Sequence, residues 1–427
     1  MAPGANSNVV ALQLEKVSKV IPLLYERGKD TLNLIQKADD VDVSTLDLRL
    51  PVQMNPGGDG GYYNADGGSL GVGNMEQYEK LLVNPVFIKM GFALNQLPRI
   101  ATDSSDKAVA KAVNRIVENA HEQFRSFLDK LLNSSASGVL GTISALNATV
   151  ATMAVPNGAQ LVYNNQKVLI YDPTLTINRN AAAGGFVTTV LSADPVTSQQ
   201  VVFDQLPPNT AVNDVVMAAG LTGANPSVLF GIKYNQSNAT TGTFLGLNRA
   251  QYPVQLATPR VNGNSGALVP MQPELAIAKI RKSLGLTKVG KLIAHTAPEQ
   301  KYAWGQLATT VQIIDRAQHE SGGGVDMNPT SYKDYGDGNM YGVPIKVAQN
   351  ADQTRIDFLD LSTWGKAVIH AMGFYKSLKG DIYFPAYGSD GGIQTTDMFY
   401  LIFDFQVWNR SPRSGAYVDS LARPVGF

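Results

Sequence analysis

The clearest pattern in the sequence is a helical repeat of apolar residues between positions 109 and 131. Apolar side chains recur there at intervals of three and four residues, which places them on one face of an α-helix. Residues 102–106, TDSSD, offer side-chain oxygens that can cap its start. We therefore predict one amphipathic helix of about 28 residues, roughly 40 Å long. The residues expected on its core face are Val109, Val113, Ile116, Phe124 and Leu128.

A second pattern, near the carboxyl end, alternates with period two. Five apolar residues alternate with their neighbours in the segment DMFYLIFDFQVWN, which predicts a long strand with one apolar face. They are Phe399, Leu401, Phe403, Phe405 and Val407. Between these two elements, helices are predicted at PELAIAKIRKSLG and from Pro298 onward. A buried strand is predicted at KLIAHTA, and later strands at GVPIKVAQN and RIDFLDL. Helices alternating with strands favour a layered α/β region.

Three further segments differ from this layered pattern. Residues 9–40 are apolar but interrupted by Pro22 and Gly28, which predicts an irregular arm that needs a partner surface. Two short extended runs flank the Gly-rich segment 55–74, which predicts a long two-stranded excursion with a loop at its tip. Residues 155–228 are Val-rich and divided by turn clusters, as expected of an inserted all-β module.

Composition narrows the range of functions. The 427 residues include 44% hydrophobic and 16% charged side chains, and 35 basic residues balance 35 acidic ones. A neutral chain gives no overall attraction to nucleic acid or to an anionic membrane, so any contact with DNA is expected to be weak and non-specific. The absence of Cys excludes disulfides and thiolate chemistry. The sequence shows neither a signal-peptide pattern nor a membrane-spanning run, so we expect synthesis in the cytoplasm and no membrane partner.

Motifs for catalysis or cofactor binding are weak. The segment GLTKVGKL, at 285–292, meets G-x-x-x-x-G-K but has Leu292 where a P-loop needs Ser or Thr, and it follows a helix instead of a strand. The four histidines are His121, His295, His319 and His370, and none has a metal-ligand spacing. We interpret His121 and His295 as core residues and His319 as a loop residue. We expect no enzymatic activity, no cofactor and no metal, although paired carboxylates of glycosidases would leave no readable spacing.

The order of these segments resembles that of the major capsid proteins of tailed double-stranded DNA bacteriophages, which have the Hong Kong 97-like capsid fold. The resemblance is most specific in three stretches and covers most of the chain. They are LFGIKYNQSNATTGTFLGLNRAQYP, TPRVNGNSGALVPMQPELAIAKIRKSLG with the following KLIAHTAPEQKYAW, and GGIQTTDMFYLIFDFQVWNRSPRSGAYVDSL.

The resemblance implies an α+β fold with a β-rich insertion and six segments. These are an N-terminal arm (1–50), an extended E-loop (51–100), a P domain with the long spine helix (101–154), the inserted β domain (155–228), an α/β layer of the P and A domains (229–372), and C-terminal P-domain strands that return to the A domain (373–427).

The implied function is mechanical. Subunits of this family form the pentamers and hexamers of an icosahedral shell around packaged DNA, with E-loops and N-arms overlapping neighbours. The implied partners are other copies of the chain together with portal, scaffolding and decoration proteins, and the implied location is the virion capsid, assembled in the host cytoplasm. The residues expected to make assembly contacts are Tyr62, Tyr63, Leu70, Val72 and Met75 in the E-loop, and Leu12, Leu23 and Leu24 in the N-arm.

Two features separate this chain from some relatives, and three other interpretations remain. It shows no charged coiled-coil segment resembling a fused scaffolding domain, and residues 51–79 contain no Lys for an isopeptide cross-link. An encapsulin-type compartment shell would share the fold. A hydrolase with an attached β module would need paired carboxylates in a pocket. A phage tail or decoration protein would lack the long helix.

Overall fold

The computed structural model describes residues 30–35, 48–62, 73–95, 109–285, 292–307, 338–387 and 393–424. Side chains of residues 95, 109–115, 387 and 395 lie outside this description. The helices are α1 (Asp30–Leu34), α2 (Val109–Leu132), α3 (Arg179–Ala182), α4 (Ile232–Asn235), α5 (Met271–Leu284) and α6 (298–307).

Strands make up most of the remaining regular structure. They are β1 (Leu48–Asn55), β2 (Gln77–Val83), β3 (Val86–Asn95), β4 (Gly141–Asn147), β5 (Val150–Met153), β6 (Lys167–Tyr171), β7 (Thr188–Ala193), β8 (Gln200–Phe203), β9 (Val215–Ala218), β10 (Thr243–Phe244), β11 (Leu247–Asn248), β12 (Arg260–Asn262), β13 (Leu292–Thr296), β14 (Asn339–Met340), β15 (Val343–Val347), β16 (Ile356–Asp360), β17 (Trp364–Phe374), β18 (Phe384–Tyr387), β19 (Ile393–Asn409) and β20 (Ala416–Asp419).

The chain divides into two compact units. In its described part, the first unit contains Phe87–Leu128 and Val368–Phe405 and is built on a sheet in which β19 pairs with β18 and β3 and neighbours β17. Helix α2 supplies the fully buried Phe124 to this unit. Phe399 stacks on Phe92 at a ring distance of 5.3 Å. The alternation predicted for the C-terminal strand is confirmed, because its apolar face is buried along β19.

The second unit, Asp30–Val86, Asp129–Ala367 and Gln406–Phe427, contains a six-stranded sheet in the order β12-β20-β16-β13-β15-β14. β13 is parallel to β15 and antiparallel to β16. Helix α5 packs against the core of this sheet through Ala276, Ile277 and Ile280. Gly285, at φ 66°, ends the helix in the left-handed conformation that glycine favours. The predicted helix, the predicted buried strand (β13) and the two later strands (β15 and β16) are confirmed here.

A closed barrel in the order β4-β5-β8-β7-β6-β9 also belongs to the second unit. Its interior is filled by an apolar cluster that includes Ile143, Ile170, Val190 and Phe203. The barrel begins at β4, so the predicted start of the β module at residue 155 is too late. The pattern of β4 and β5 is weak because their sequences, GTISALN and VATM, are rich in small and hydroxyl side chains.

The predicted E-loop also differs from the structure. β1 and β2 form an antiparallel hairpin, with Leu48 opposite Val83 and Pro51 opposite Lys80. Residues 86–95, predicted as part of the same excursion, instead form β3, which pairs with β19 in the first unit. Asn84 and Pro85 lie between β2 and β3, and Pro85 cannot donate to a ladder hydrogen bond. The hairpin therefore ends at Val83.

Candidate assembly surfaces

The base of the β1–β2 hairpin is anchored in the core of the second unit. Leu50, Leu81 and Val83 are buried in a cluster that includes Phe244 and Trp408. The backbone N–H of Leu82 also donates to the carbonyl of Leu245, at 2.7 Å. These contacts at the base fix the direction in which the hairpin projects.

A tyrosine distant in sequence fixes the polar side of β2. The hydroxyl of Tyr252 donates to Glu79 Oε1 at 2.6 Å and accepts from Gln77 Nε2 at 2.7 Å. Tyr252 is itself buried in the apolar cluster at the hairpin base. Directional contacts thus hold the distal half of β2.

The distal part of the hairpin is a surface without an internal core. Tyr62 is 109% exposed and Met75 is 92% exposed relative to a reference residue, so neither packs on its own subunit. Gly57, at φ 72°, shapes the turn, because a Cβ there would lie 2.6 Å from the carbonyl oxygen of Asn74. The distal segment 50–79 contains acidic residues but no Lys or Arg. An apolar, acidic projection of this kind can bury its side chains only against another surface.

The other predicted assembly residues fall in different places. Tyr63, Leu70 and Val72, like Leu12, Leu23 and Leu24 of the arm, lie outside the described residues. On α2, Phe124 and Leu128 are fully buried and Ile116 is half-buried, as expected of a core face. Val109 and Val113 lie on the helix, but their side chains are outside the described set.

The barrel presents a second weakly charged surface. Between Gly141 and Ala218 the sequence has only Lys167 and Arg179 as basic residues and four aspartates. Arg179 is paired with the buried Asp214, at 3.0 Å. Exposed apolar residues occur on this module, among them Leu191 and Val196. Its filled interior leaves the outer face as the part available for contacts.

Two buried ion pairs of the second unit form within the subunit. Arg355 pairs with Asp357 at 2.7 Å, donates to the carbonyl of Gln236 at 2.8 Å and lies 3.8 Å from the ring centre of Tyr417. Lys233 pairs with Asp352 at 2.8 Å. Because these groups satisfy one another away from solvent, we interpret them as structural.

The described histidines have distinct surroundings. His295 is buried, and burial followed by the neighbouring positive charge of Arg355 lowers its pKa to about 4. His121 is half-buried against the ring of Phe374, and burial lowers its pKa as well. The interpretation as a core residue is confirmed for His295, whereas His121 is only half-buried and His319 lies outside the described residues. His370, which the sequence pattern did not assign, contacts Asp404 at 2.6 Å on the first unit.

In the described part of the chain, no group of three or more His, Asp or Glu side chains could hold a metal ion. Within the same residues, no helix has both the length and the apolar character needed to cross a membrane.

Comparisons with known proteins bear on the fold. No protein-family model and no curated protein sequence matches the chain. A chain of the cyanophage A-1(L) capsid asymmetric unit superposes with a TM-score of 0.56 at 13% identity, covering 96% of this chain and 97% of that one. Gordonia phage Cozz (TM-score 0.45, 12% identity, 99% and 98% covered) and the SrpI encapsulin of Synechococcus elongatus PCC 7942 (0.44, 9%, 97% and 95%) are also similar. The chain thus has the α+β fold of the cyanophage A-1(L) capsid chain.

Proposed function

We propose that this chain is the major capsid protein of a tailed double-stranded DNA bacteriophage, a structural subunit and not an enzyme. Copies of it would form the pentamers and hexamers of an icosahedral shell around packaged DNA. The observation that carries the proposal is the β1–β2 hairpin, which is anchored at its base and exposes Tyr62 and Met75 at its distal end. The fold shared with the cyanophage capsid chain supports it.

In this proposal each part of the chain has a mechanical role. The hairpin acts as the E-loop, α2 and the four-stranded sheet form the P domain, and the six-stranded sheet forms the A domain that meets its copies around each capsomer. The barrel faces outward and contributes little to the shell floor, since its apolar core is complete on its own. Residues 1–50 act as the N-arm.

The partners follow from the same assignment. We propose that portal and scaffolding proteins, and a decoration protein on the outer face, bind the assembled shell in the virion, which is built in the host cytoplasm. Contact with packaged DNA would be weak and non-specific, because 35 basic residues are balanced by 35 acidic ones.

Truncating the exposed hairpin side chains tests the proposal. In the double variant Tyr62→Ala and Met75→Ala, the isolated subunit should keep its stability, because neither side chain packs within it. If both are buried on a neighbour, their loss removes about 3 kcal/mol per contact, and the concentration needed for assembly should rise roughly 100-fold. Sedimentation velocity over a range of concentrations measures this threshold.

The matched control removes two exposed apolar side chains from the barrel. Leu191→Ala with Val196→Ala should leave the assembly threshold within about threefold of the unmodified chain. If both double variants assemble like the unmodified chain, the hairpin makes no assembly contact. If the unmodified chain never forms particles larger than small oligomers, the proposed function itself is contradicted.

A further inference from the structure

Helix α1 is too short to be stable by itself, but two of its side chains, Thr31 and Leu32, are buried. It contains five residues, DTLNL, well below the length at which an isolated helix persists in water. Leu32 and Ile35 are buried, and the polar side chain of Thr31 is fully buried with them. Contacts with the rest of the second unit must therefore hold this segment.

The hydroxyl of Thr31 joins α1 to two other elements. Its Oγ1 accepts a hydrogen bond from Asn133 Nδ2 at 2.9 Å and lies 3.1 Å from His295 Nε2. Asn133 directly follows α2, and His295 is the fourth of the five residues of β13. A neutral His295 can accept the one proton that the Thr31 hydroxyl has to donate, so a single side chain ties three segments together.

A buried carboxylate makes the second tie. Asp129 Oδ1 accepts from the backbone N–H of Leu32 at 2.9 Å, and its Oδ2 accepts from Asn350 Nδ2 at 2.8 Å. Leu32 lies in the first turn of α1, where the N–H groups have no partner within the helix. Asn350 belongs to the segment after β15. The carboxylate therefore links α1, the end of α2 and this segment.

Several of the groups that contact α1 are polar. Thr31, Asp129, Asn133, His295 and Asn350 are each no more than 3% exposed. If α1 left its position, water could hydrate the groups it covers, so opening would exchange one set of hydrogen bonds for another. An apolar contact of the same size would gain no hydrogen bonds from water when it opened.

We propose that residues 30–35 form a polar latch, which can open while the rest of the second unit stays folded. When closed, the latch ties the end of α2 to β13 and to the segment after β15. When open, it leaves the polar groups of these three segments exposed to water. This inference concerns the single subunit and does not depend on the proposed shell.

Native-state hydrogen exchange on the full chain tests the latch, with the amide of Leu32 as the direct probe. Thr31→Val keeps the shape of the side chain but removes both hydrogen bonds of the hydroxyl. The exchange rate at Leu32 should rise about tenfold or more, while amides in β16 and β20 keep their rates. Thr31→Ser retains the hydroxyl and should restore the slow rate.

Asn33→Ala is the matched control, because Asn33 is exposed on the same helix. In this variant, the exchange rate of the Leu32 amide should stay within about threefold of the rate in the unmodified chain. Equal acceleration at Leu32 and in β16 and β20 on Thr31→Val would overturn the proposal, because the segment would then open only with the whole unit. An unchanged rate at Leu32, or a Thr31→Val chain that does not fold, would overturn it as well.

Discussion

The pH dependence of stability should carry the signature of His295. The ring is buried, its Nε2 lies 3.1 Å from the Thr31 hydroxyl, and its pKa is lowered from 6.5 to about 4 by burial and by Arg355. In the unfolded chain the imidazole binds a proton near pH 6.5, whereas in the folded chain it stays neutral until about pH 4. Between these values the unfolded state holds more protons, so this group makes the chain less stable as pH falls.

The size of the effect follows from the two pKa values. From pH 7 to pH 5, the difference in proton binding removes about 2 kcal/mol from the free energy of unfolding, and the loss approaches about 3 kcal/mol at pH 4. Asp129 and Glu299 act in the opposite direction, because burial raises the pKa of both carboxyls. The dependence of the free energy of unfolding on pH is therefore a sum of opposing contributions. Only comparison with a variant that lacks the histidine separates the contribution of His295.

His295→Gln provides that comparison, since an amide can still bond to the Thr31 hydroxyl but does not titrate in this range. Urea unfolding of both chains at pH 7 and pH 5 gives the four free energies that are needed. The unmodified chain should lose about 2 kcal/mol more than the variant between the two pH values. Equal losses, within about 0.5 kcal/mol, would show that the ring is protonated in the folded chain and that its described burial is wrong.

Three further predictions concern packing and covalent chemistry. Gly231→Ala should lower the free energy of unfolding by about 3 kcal/mol in a urea titration, because the new Cβ would lie 2.1 Å from the carbonyl oxygen of Leu132. The control is Gly60→Ala, where no atom lies within 4 Å of the new Cβ, and it should change the free energy of unfolding by less than about 0.5 kcal/mol. Phe124→Ala should cost about 3–5 kcal/mol, measured in the same way, since the ring is fully buried, and a loss below about 1 kcal/mol would contradict that burial. Assembled particles boiled in detergent should give one band at 45.8 kDa on a denaturing gel. The chain has no Cys to form a disulfide, and residues 51–79 of the hairpin have no Lys to form an isopeptide bond, since the first amine beyond the tip is Lys80 on β2. A ladder of larger species would point to a cross-link through Lys80.

Elements with strong local periodicity could be predicted from the sequence. The repeat on α2 places Phe124 and Leu128 on one face whatever the tertiary context, and both are fully buried. The alternation on β19 likewise marks its buried face. The pairing partner of a strand is harder to predict from the sequence than the strand itself. The run from Val86 to Asn95, for example, alternates equally well as a hairpin strand or as a sheet strand. Its pairing with β19, far away in the sequence, decided between the two.

The polar contacts were beyond sequence reasoning for a different reason. Asp129 and Asn350 resemble solvated surface residues in the sequence, and they are hidden only because the chain brings them together across 221 positions. Tyr252 is separated by 173 positions from Glu79, the β2 residue to which its hydroxyl donates. No local period marks such pairs. The projecting hairpin was predicted in outline from its Gly-rich centre, but the contacts that anchor it were not.

Cryo-electron microscopy of particles assembled from the purified chain tests the proposed capsid function. We expect closed shells of icosahedral symmetry, in which five-fold and six-fold capsomers consist of this chain and each β1–β2 hairpin covers part of a neighbouring copy. Density over Tyr62 and Met75 from that neighbour would support the assembly surface assigned to the hairpin. Purified chain that forms only monomers or small open oligomers, or shells whose hairpins contact no other copy, would contradict the proposed function.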